Sequence, residues 1–254
     1  MGLCFRGQIM RTAFRWVFRL FLLLLAAVAL LLIHTIWFKP IKPNWFYDRV
    51  FMEYGFQDPQ MMSSMRMLPS WMDWYSDDLT DQSLTQEKKL QEKLRTDLET
   101  LRRYDRAGMN EADALNYDML EYFLALQAEG EKYAHHNYPL NQLFGIQNEF
   151  PTFMATQHPV GTPAEAEDYL ARLGKAPVMV AQVMEGLKVR ERENITPPTF
   201  VVEKVLKEMR AFVAAEPAKN ILYTSLVEKI DKAGEKAISA DQRKAILAET
   251  EAAI

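Results

Sequence analysis

The sequence predicts an all-α protein, with one N-terminal apolar helix followed by a multi-helix domain. Three observations support this fold class. Apolar residues recur at spacings of three and four over most of residues 83–254, which is the helical period. No stretch alternates convincingly at period two, as a half-buried strand would. A single long apolar run lies near the start of the chain.

The apolar run predicts a transmembrane signal-anchor over residues 14–38. Between Leu20 and Phe38 only His34 and Thr35 are polar, and a helix of this length can cross roughly 30 Å of hydrocarbon. Trp16 and Trp37 stand where interfacial aromatic residues are expected.

The charges around the run predict its orientation. Four arginines precede or enter it, two lysines follow it, and no acidic residue occurs before Asp48. Because basic residues favour the cytoplasmic side, residues 1–13 should form a basic cytoplasmic tail, with the main domain outside the cytoplasm. The lipid bilayer is therefore an expected partner.

A cleaved signal peptide is the alternative to the anchor. The run is followed by "HTIWFKPIKP", which carries bulky residues where signal cleavage needs small ones. This favours an uncleaved, single-pass anchor. A buried core helix is the weaker alternative, because such a helix would rarely carry basic residues at both ends and no acidic residue.

Composition excludes some function classes for the remainder of the chain. Removing the six basic residues of 1–42 from the formal net charge of −4 leaves −10 for residues 43–254. Nucleic-acid binding, which favours basic surfaces, is therefore not expected. The one cysteine is Cys4, so the outer part can form no disulfide and offers no thiolate nucleophile.

The outer part, residues 45–254, is predicted to be one helical domain after a proline-containing spacer over 39–44. Residues 45–82 indicate short helices and loops, and Ser83 with Gln86 fits a capping box. The first long helix should bury Leu90, Leu94, Leu98, Leu101 and Tyr104 and end at Gly108. Asn110 and Asp113 should start the next, with a buried face of Leu115, Met119, Tyr122 and Leu126.

Prolines and glycines interrupt the pattern over residues 130–161, so no long helix is expected there. Thr162-Pro163-Ala164-Glu165 predicts a new start, with Ala166, Tyr169, Leu170 and Leu173 buried. Later helices are expected over about 177–193, 199–215, 220–230 and from a Ser239–Gln242 capping box. The second of these should bury Val202, Val205, Leu206, Met209 and Phe212. The final helix pattern still continues at Ile254, which suggests a chain that stops early.

The stretch "YAHHNYPLNQLFGIQNEFPTFM", residues 133–154, is the densest in groups that could do chemistry. No two histidines stand at the i, i+4 spacing of the common helical zinc sites, and the adjacent His135 and His136 are expected to point apart. A metal site is therefore disfavoured. Contacts to a substrate and hydrogen bonds within the loop itself both remain open.

Several tracts then resemble a known family. They are "LNYD" (115–118), "YPLNQLFGIQNEFPTFM" (138–154), "AEDYLARL" (166–173) and "EGLKVRERENITPPTFVVEKVLKEMRAF" (185–212). In this order and at similar spacing they resemble the N-terminal half of the bacterial family called domain of unknown function 885, over roughly residues 45–254. The anchor resembles the membrane-tethered branch of that family.

The resemblance implies a fold like half of a helical zincin metallopeptidase and, in full-length members, a zinc-binding His-Glu-x-x-Pro-Gly-His motif in the second half. This sequence contains no His-Glu pair, so no catalytic or metal residue is carried over. Zinc is expected only in full-length relatives. The resemblance suggests His136, Tyr138, Asn141 and Gln142 as substrate-binding residues on one wall of a cleft.

Two hypotheses follow. The chain is the membrane-anchored N-terminal portion of a putative zincin-like hydrolase, inactive alone, whose partner is a peptide-like substrate or a separately encoded C-terminal half. Alternatively, it is a non-catalytic helical binding module at the bacterial membrane surface.

Overall fold

The computed structural model describes the backbone of residues 2–254 and the side chains of residues 14–69 and 71–254. The side chains of the predicted basic tail, residues 1–13, lie outside the described residues. Within the described chain all regular structure is helical and no strand occurs, which confirms the all-α class. Ten α-helices follow one another: α1 Gly2–Trp37, α2 Pro43–Gly55, α3 Pro59–Met65, α4 Leu84–Leu101, α5 Glu111–Gly130, α6 Ile146–Thr156, α7 Pro163–Arg192, α8 Thr199–Ala214, α9 Ile221–Ala233 and α10 Ala240–Ala253.

Helix α1 contains the predicted apolar segment. Its stretch Phe14–Trp37 is 24 residues long, has a mean hydropathy of 2.7 and is unburied. By length and composition this helix is able to cross a membrane. The spacer is shorter than predicted, because Pro43 and Asn44 already form the first turn of α2. Proline is well suited to that position, where its missing N–H costs no helical hydrogen bond.

The chain forms two compact units. The first unit comprises residues 1–52 and 96–125, and the second unit comprises residues 53–95 and 126–254. The buried apolar residues of the first unit come from α2, the end of α4, the turn after α4, and α5: Phe46, Val50, Leu98, Leu101, Tyr104, Tyr117 and Leu124. In the second unit α7 packs against α10, and α6 and α10 both pack against α9. Its core includes Phe150, Phe153, Met154, Tyr169, Leu173, Leu226, Ile230 and Leu247.

The local start signals of the helices are mostly confirmed. Ser239 and Gln242 form the complete capping box of α10, and the Asn110 side chain accepts a hydrogen bond from the Asp113 amide at the start of α5. At α4 only half of the predicted box forms. Ser83 Oγ accepts from the Gln86 amide, but the Gln86 side chain donates to Gln57 instead.

The predicted buried face of α5 is wrong. Leu115, Met119, Tyr122 and Leu126 are all more than half exposed, whereas Tyr117 and Leu124 are buried. The face predicted for α8 is also largely wrong, since Val201 and Val205 are buried while Val202, Leu206 and Phe212 are exposed. Both helices have an apolar stripe, but within the described part of the chain no other element covers most of it.

The interrupted tract holds no long helix but does contain a short one, and the predicted break before residue 177 is wrong. Helix α6 forms inside the interrupted tract with Pro151 in its interior, and α7 runs unbroken through Pro177 instead of splitting in two. A single internal proline removes one backbone hydrogen bond. In α6, Phe150, Phe153 and Met154 are buried at helical spacing, and their packing offsets that loss. Helix α4, in contrast, is shorter than predicted. It ends at Leu101 instead of Gly108, and residues Arg106–Gly108 form a separate 3₁₀ turn.

Candidate substrate-binding cleft

The loop before α6 is folded around the side chain of Asn141. Its Oδ1 atom accepts hydrogen bonds from the amides of Leu143 and Phe144, at 2.9 and 2.7 Å, and its Nδ2 atom donates to the Tyr138 carbonyl oxygen. The Gln147 amide group donates to the Asn141 carbonyl oxygen. Asn141 therefore holds the loop in shape, as asparagine commonly does in turns.

Gly145 closes this loop because no larger residue fits. A Cβ atom there would lie 2.5 Å from the Asn141 backbone nitrogen and 2.7 Å from its carbonyl oxygen. The loop consequently presents Leu143 and Phe144 to solvent, 67% and 75% exposed.

The four predicted substrate-binding residues do not share one site. His136 lines a cavity of about 270 Å³, together with residues of α4 and with Glu131, His135 and Glu193. Tyr138 and Gln142 are partly exposed on the loop and do not line that cavity. Asn141 is occupied by its own loop, so its hydrogen bonds favour the structural interpretation of the tract.

The histidines offer no zinc-binding set. Among the residues with described side chains, no three His, Cys, Asp or Glu side chains converge on one point. His135 Nδ1 is paired with the Glu193 carboxylate at 2.8 Å. His158 is 1% exposed and both its ring nitrogens have protein partners. The residues in this part of the chain therefore do not fit the zinc that the resemblance implies for full-length relatives.

A second, larger cavity of about 340 Å³ lies between α3, the segment Thr80–Gln82, α6 and α7. We call it the amide cleft, and its lining residues are Asp58, Gln60, Met61, Ser64, Thr80, Gln82, Ile146, Glu149, Phe150, Phe153, Gln157 and Met179. Phe150, Phe153 and Met179 are buried and form an apolar floor. Three glutamines and two carboxylates surround it, and the lining contains no lysine, arginine or histidine.

Asp58 and Thr80 fix one side of the amide cleft. Asp58 caps α3 by accepting a hydrogen bond from the Met61 amide, and the same oxygen accepts one from Thr80 Oγ1 at 2.7 Å. The Thr80 amide donates to the Gln60 side chain. Ser64 Oγ donates to the Met61 carbonyl oxygen, so the Ser64 hydroxyl is not paired with a base as a catalytic nucleophile would be.

Arg172, on α7, ties together the segments behind this cleft. It is fully buried, and its guanidinium donates to the carbonyl oxygens of Asp78, Pro59 and Tyr75, at 2.8, 3.1 and 3.3 Å. It also donates to Ser63 Oγ at 2.7 Å. The guanidinium lies 5.0 Å from the centre of the Phe153 ring on the cleft floor. One side chain thus joins α3, residues 75–78 and α6.

His158 completes this group as a neutral ring. Its Nδ1 atom is 2.6 Å from Arg172 Nη1, and because arginine can only donate, Nδ1 accepts. Its Nε2 therefore carries the proton and donates to the Glu165 carbonyl oxygen at 3.0 Å. Burial lowers the pKa of His158 to about 3, and the positive charges of Arg172 and Lys229 act in the same direction.

The neighbouring ionisable groups respond to the same burial. Burial lowers the pKa of Lys229 to about 8, and its ammonium donates to the carbonyl oxygens of Met154 and His158. Burial, reinforced by Asp73 and Asp77, raises the pKa of Asp168 to about 6. Most of these perturbed groups are bonded to backbone carbonyls that pack the second unit, which indicates a structural role.

Sequence reasoning missed both Arg172 and His158. Arg172 lies inside "AEDYLARL" at a position that looks like the solvated face of a helix. Its protein partners, apart from His158, are 94 to 113 residues earlier in the chain. The capping signal at Thr162 and the tract "AEDYLARL" pointed to this region but not to the role of the Arg172 side chain.

Comparisons with known proteins agree with this architecture. The structure is similar to a crystal structure of the "putative lipoprotein from Colwellia psychrerythraea", with a TM-score of 0.70 and 17% sequence identity. The match covers 82% of this chain but only 38% of that protein, so the chain spans well under half of its length. No curated protein matches the chain.

The family comparison covers the amide cleft apart from Asp58, the Arg172 group and the loop around Asn141. Residues 59–254, more than three quarters of the chain, match the family described as bacterial protein of unknown function, DUF885. The chain therefore belongs to the bacterial DUF885 family.

Proposed function

We propose that this chain is the membrane-anchored N-terminal portion of a zincin-like hydrolase. Residues 14–38 anchor it, and residues 45–254 form an extracytoplasmic part that supplies one wall of a peptide-binding cleft. The observation that carries the proposal is the unequal coverage of the structural match, 82% of this chain against 38% of the longer protein. The chain thus corresponds in fold to a part of that longer protein, which supports the proposal.

The exposed apolar face of α5 supports a missing partner. Leu115, Met119, Tyr122 and Leu126 are spaced like a core face, yet each is 54–68% exposed. Apolar stripes of this kind usually pack against another element. A separately encoded or otherwise supplied C-terminal half is the occupant that fits this proposal. That C-terminal half would contain the zinc ligands and the general base. Among the residues with described side chains, no group of His, Cys, Asp or Glu could hold a metal ion.

The experiment is an assay of the full chain purified in detergent micelles. We expect no stoichiometric zinc by elemental analysis and no cleavage of fluorescent casein. One bound zinc per chain together with peptide cleavage would contradict the proposal. A polypeptide carrying the family's zinc motif should restore cleavage when mixed with this chain, and it should fail to do so with Met119→Glu and Tyr122→Glu on α5.

A non-catalytic peptide-binding module is the second candidate. The amide cleft favours it because its walls come from one compact unit of this chain, and it needs no further polypeptide. With Asp58 and Glu149 in a lining that lacks basic residues, the cleft fits a peptide bearing a lysine or arginine side chain. The glutamines are suited to the peptide's backbone amides.

Charge reversal of the ligand tests this second function. Fluorescent peptides of alternating alanine and lysine should bind the full chain, and matched alanine–glutamate peptides should not. Glu149→Gln should weaken lysine-peptide binding, whereas Glu203→Gln, an exposed residue of α8 outside the cleft, should leave it unchanged. Equal binding of both peptide types would remove the argument for the cleft.

A further inference from the structure

The C-terminal end of the anchor helix is bonded to a side chain of α2. Arg49 Nη1 donates to the carbonyl oxygens of Thr35, Ile36 and Phe38, at 3.1, 3.2 and 2.7 Å. The last carbonyls of a helix have no partner within the helix, and a cation is favoured there by the helix dipole. The Arg49 side chain thus caps the C-terminal end of α1. Arg49 lies eleven to fourteen residues after the carbonyl groups to which it donates.

Arg49 is itself held in place. Its side chain is 12% exposed, its guanidinium lies 5.0 Å from the centre of the Phe46 ring, and it pairs with Asp97 at 4.0 Å. The Asp97 side chain is 2% exposed. Since Asp97 belongs to α4, this pair links the anchor helix, α2 and α4 within the first unit.

The short connection between α1 and α2 is also tied down. Tyr104 Oη donates to the Pro40 carbonyl oxygen at 2.6 Å in a buried hydrogen bond. Lys39 Nζ donates to the Arg103 carbonyl oxygen at 3.1 Å and lies 4.3 Å from the centre of the Tyr104 ring. Residues 38–42 therefore do not behave as a free linker.

The remaining side chains of the connection are exposed and amphipathic. Trp37, Phe38 and Ile41 are 61–69% exposed, and Lys42 lies 5.7 Å from the centre of the Trp45 ring. Aromatic residues beside lysines are typical of the headgroup layer of a membrane, where apolar rings and charged amines are both accommodated. We call Trp37, Phe38, Ile41 and Lys42 the collar.

We propose that the collar docks on the phospholipid headgroup layer and that Arg49 locks the anchor helix to α2 and α4 within the first unit. The anchor would then be a rigid stalk that sets the orientation of this unit on the bilayer, not a flexible tether. This inference rests on the proposed membrane anchoring. The occupant of the exposed collar is the lipid surface, because the collar continues directly from the apolar segment Phe14–Trp37.

The test of rigidity is a distance distribution between two spin labels. Labels are placed by Ile33→Cys on α1 and Asp48→Cys on α2, in a full chain with Cys4→Ser, reconstituted in phosphatidylcholine–phosphatidylglycerol vesicles. We expect one narrow distribution. Arg49→Met should broaden it, and Arg49→Lys should give an intermediate width, because a single ammonium cannot contact the α1 carbonyls and pair with Asp97 at the same time.

Arg103→Met is the matched control, since it removes one exposed arginine of the same unit. It should leave the distribution narrow. A broad distribution in the chain with Arg49 intact, or equal broadening by both methionine variants, would overturn the rigid joint. Retained helicity by circular dichroism shows that a broadened variant is still folded.

Docking of the collar is tested by the depth of a single label. A label at Ile41→Cys should be reached by oxygen from the bilayer more than by a water-soluble nickel complex, and a label at Asp48→Cys should show the reverse. A water-accessible label at position 41 would contradict docking. Extraction of the chain from the vesicles by alkaline carbonate would instead refute the anchoring itself, which separates the two failures.

Discussion

Replacement of Arg172 by methionine tests the interpretation of the second unit most directly. Methionine has a similar length and fills the buried space but donates no hydrogen bond. Of the five acceptors around the guanidinium, the Pro59 and Tyr75 carbonyl oxygens and Ser63 Oγ keep other donors or partners. The Asp78 carbonyl oxygen and His158 Nδ1 are the two whose described donor is Arg172.

One buried acceptor, His158 Nδ1, and one partly buried acceptor, the Asp78 carbonyl oxygen, are left without a donor and set the magnitude. Each costs about 1–3 kcal/mol, so Arg172→Met should lower the free energy of unfolding by about 4 kcal/mol. That is a large fraction of the roughly 5–15 kcal/mol by which domains are stable. Arg172→Lys should lose about half as much, because one ammonium can reach only one of the two acceptors.

Urea unfolding of the full chain in detergent micelles, followed by far-ultraviolet circular dichroism and tryptophan fluorescence, measures this loss. Trp74 is a suitable reporter, since its ring lies 5.8 Å from that of Tyr75, whose carbonyl oxygen Arg172 contacts. Arg210→Met, on the exposed side of α8, should change stability by less than about 0.5 kcal/mol. If Arg172→Met behaves like this control, the guanidinium does not hold the second unit together.

The remaining predictions concern exposure, loop geometry and pH. Met119→Ser should cost less than about 0.5 kcal/mol and Leu124→Ala about 2–5 kcal/mol in urea unfolding, and equal losses would mean that the Met119 face of α5 is buried as well. Gly145→Ala should lower the free energy of unfolding by about 1–3 kcal/mol, because the added Cβ meets the backbone of the loop. Gly174→Ala has open space around it and should be neutral or slightly stabilising. Similar urea midpoints for the two variants would contradict the loop geometry. The pKa of His158 is about 3 in the folded chain and 6.5 when unfolded, so its contribution is complete above pH 6.5 and lost as the pH falls towards 3. Urea midpoints should therefore decrease through this range, and a His158→Gln variant should show a shallower decrease.

The sequence predicted those features that depend on neighbouring residues. The caps Ser239, Asn110 and Thr162 lie where expected, because a cap is decided within about four residues. The buried face of early α7, with Ala166, Tyr169 and Leu173, is also confirmed. In these cases the local pattern and the packing agree.

The faces of α5 and α8 show where local patterns stop being sufficient. Periodicity identifies an apolar stripe, but it does not reveal whether an element is present to cover it. The candidate site was predicted least well. The tract "YPLNQLFGIQNEFPTFM" does contribute Ile146, Glu149, Phe150 and Phe153 to the amide cleft, yet the other walls come from residues 58–82 and 179, which only folding brings together.

The Arg49 cap on the anchor helix has a consequence for how partners are met. Only residues 38–42 separate α1 from α2, and even fully extended they would span no more than about 18 Å. With the proposed anchoring, a stalk this short, held by Tyr104 and Lys39, would confine the part of the first unit after α1 to a thin layer above the lipid. Encounters with another protein anchored in the same bilayer then become a search in two dimensions with a restricted set of approach angles. Lengthening residues 38–42 with glycine and serine would widen that layer and make the search less selective.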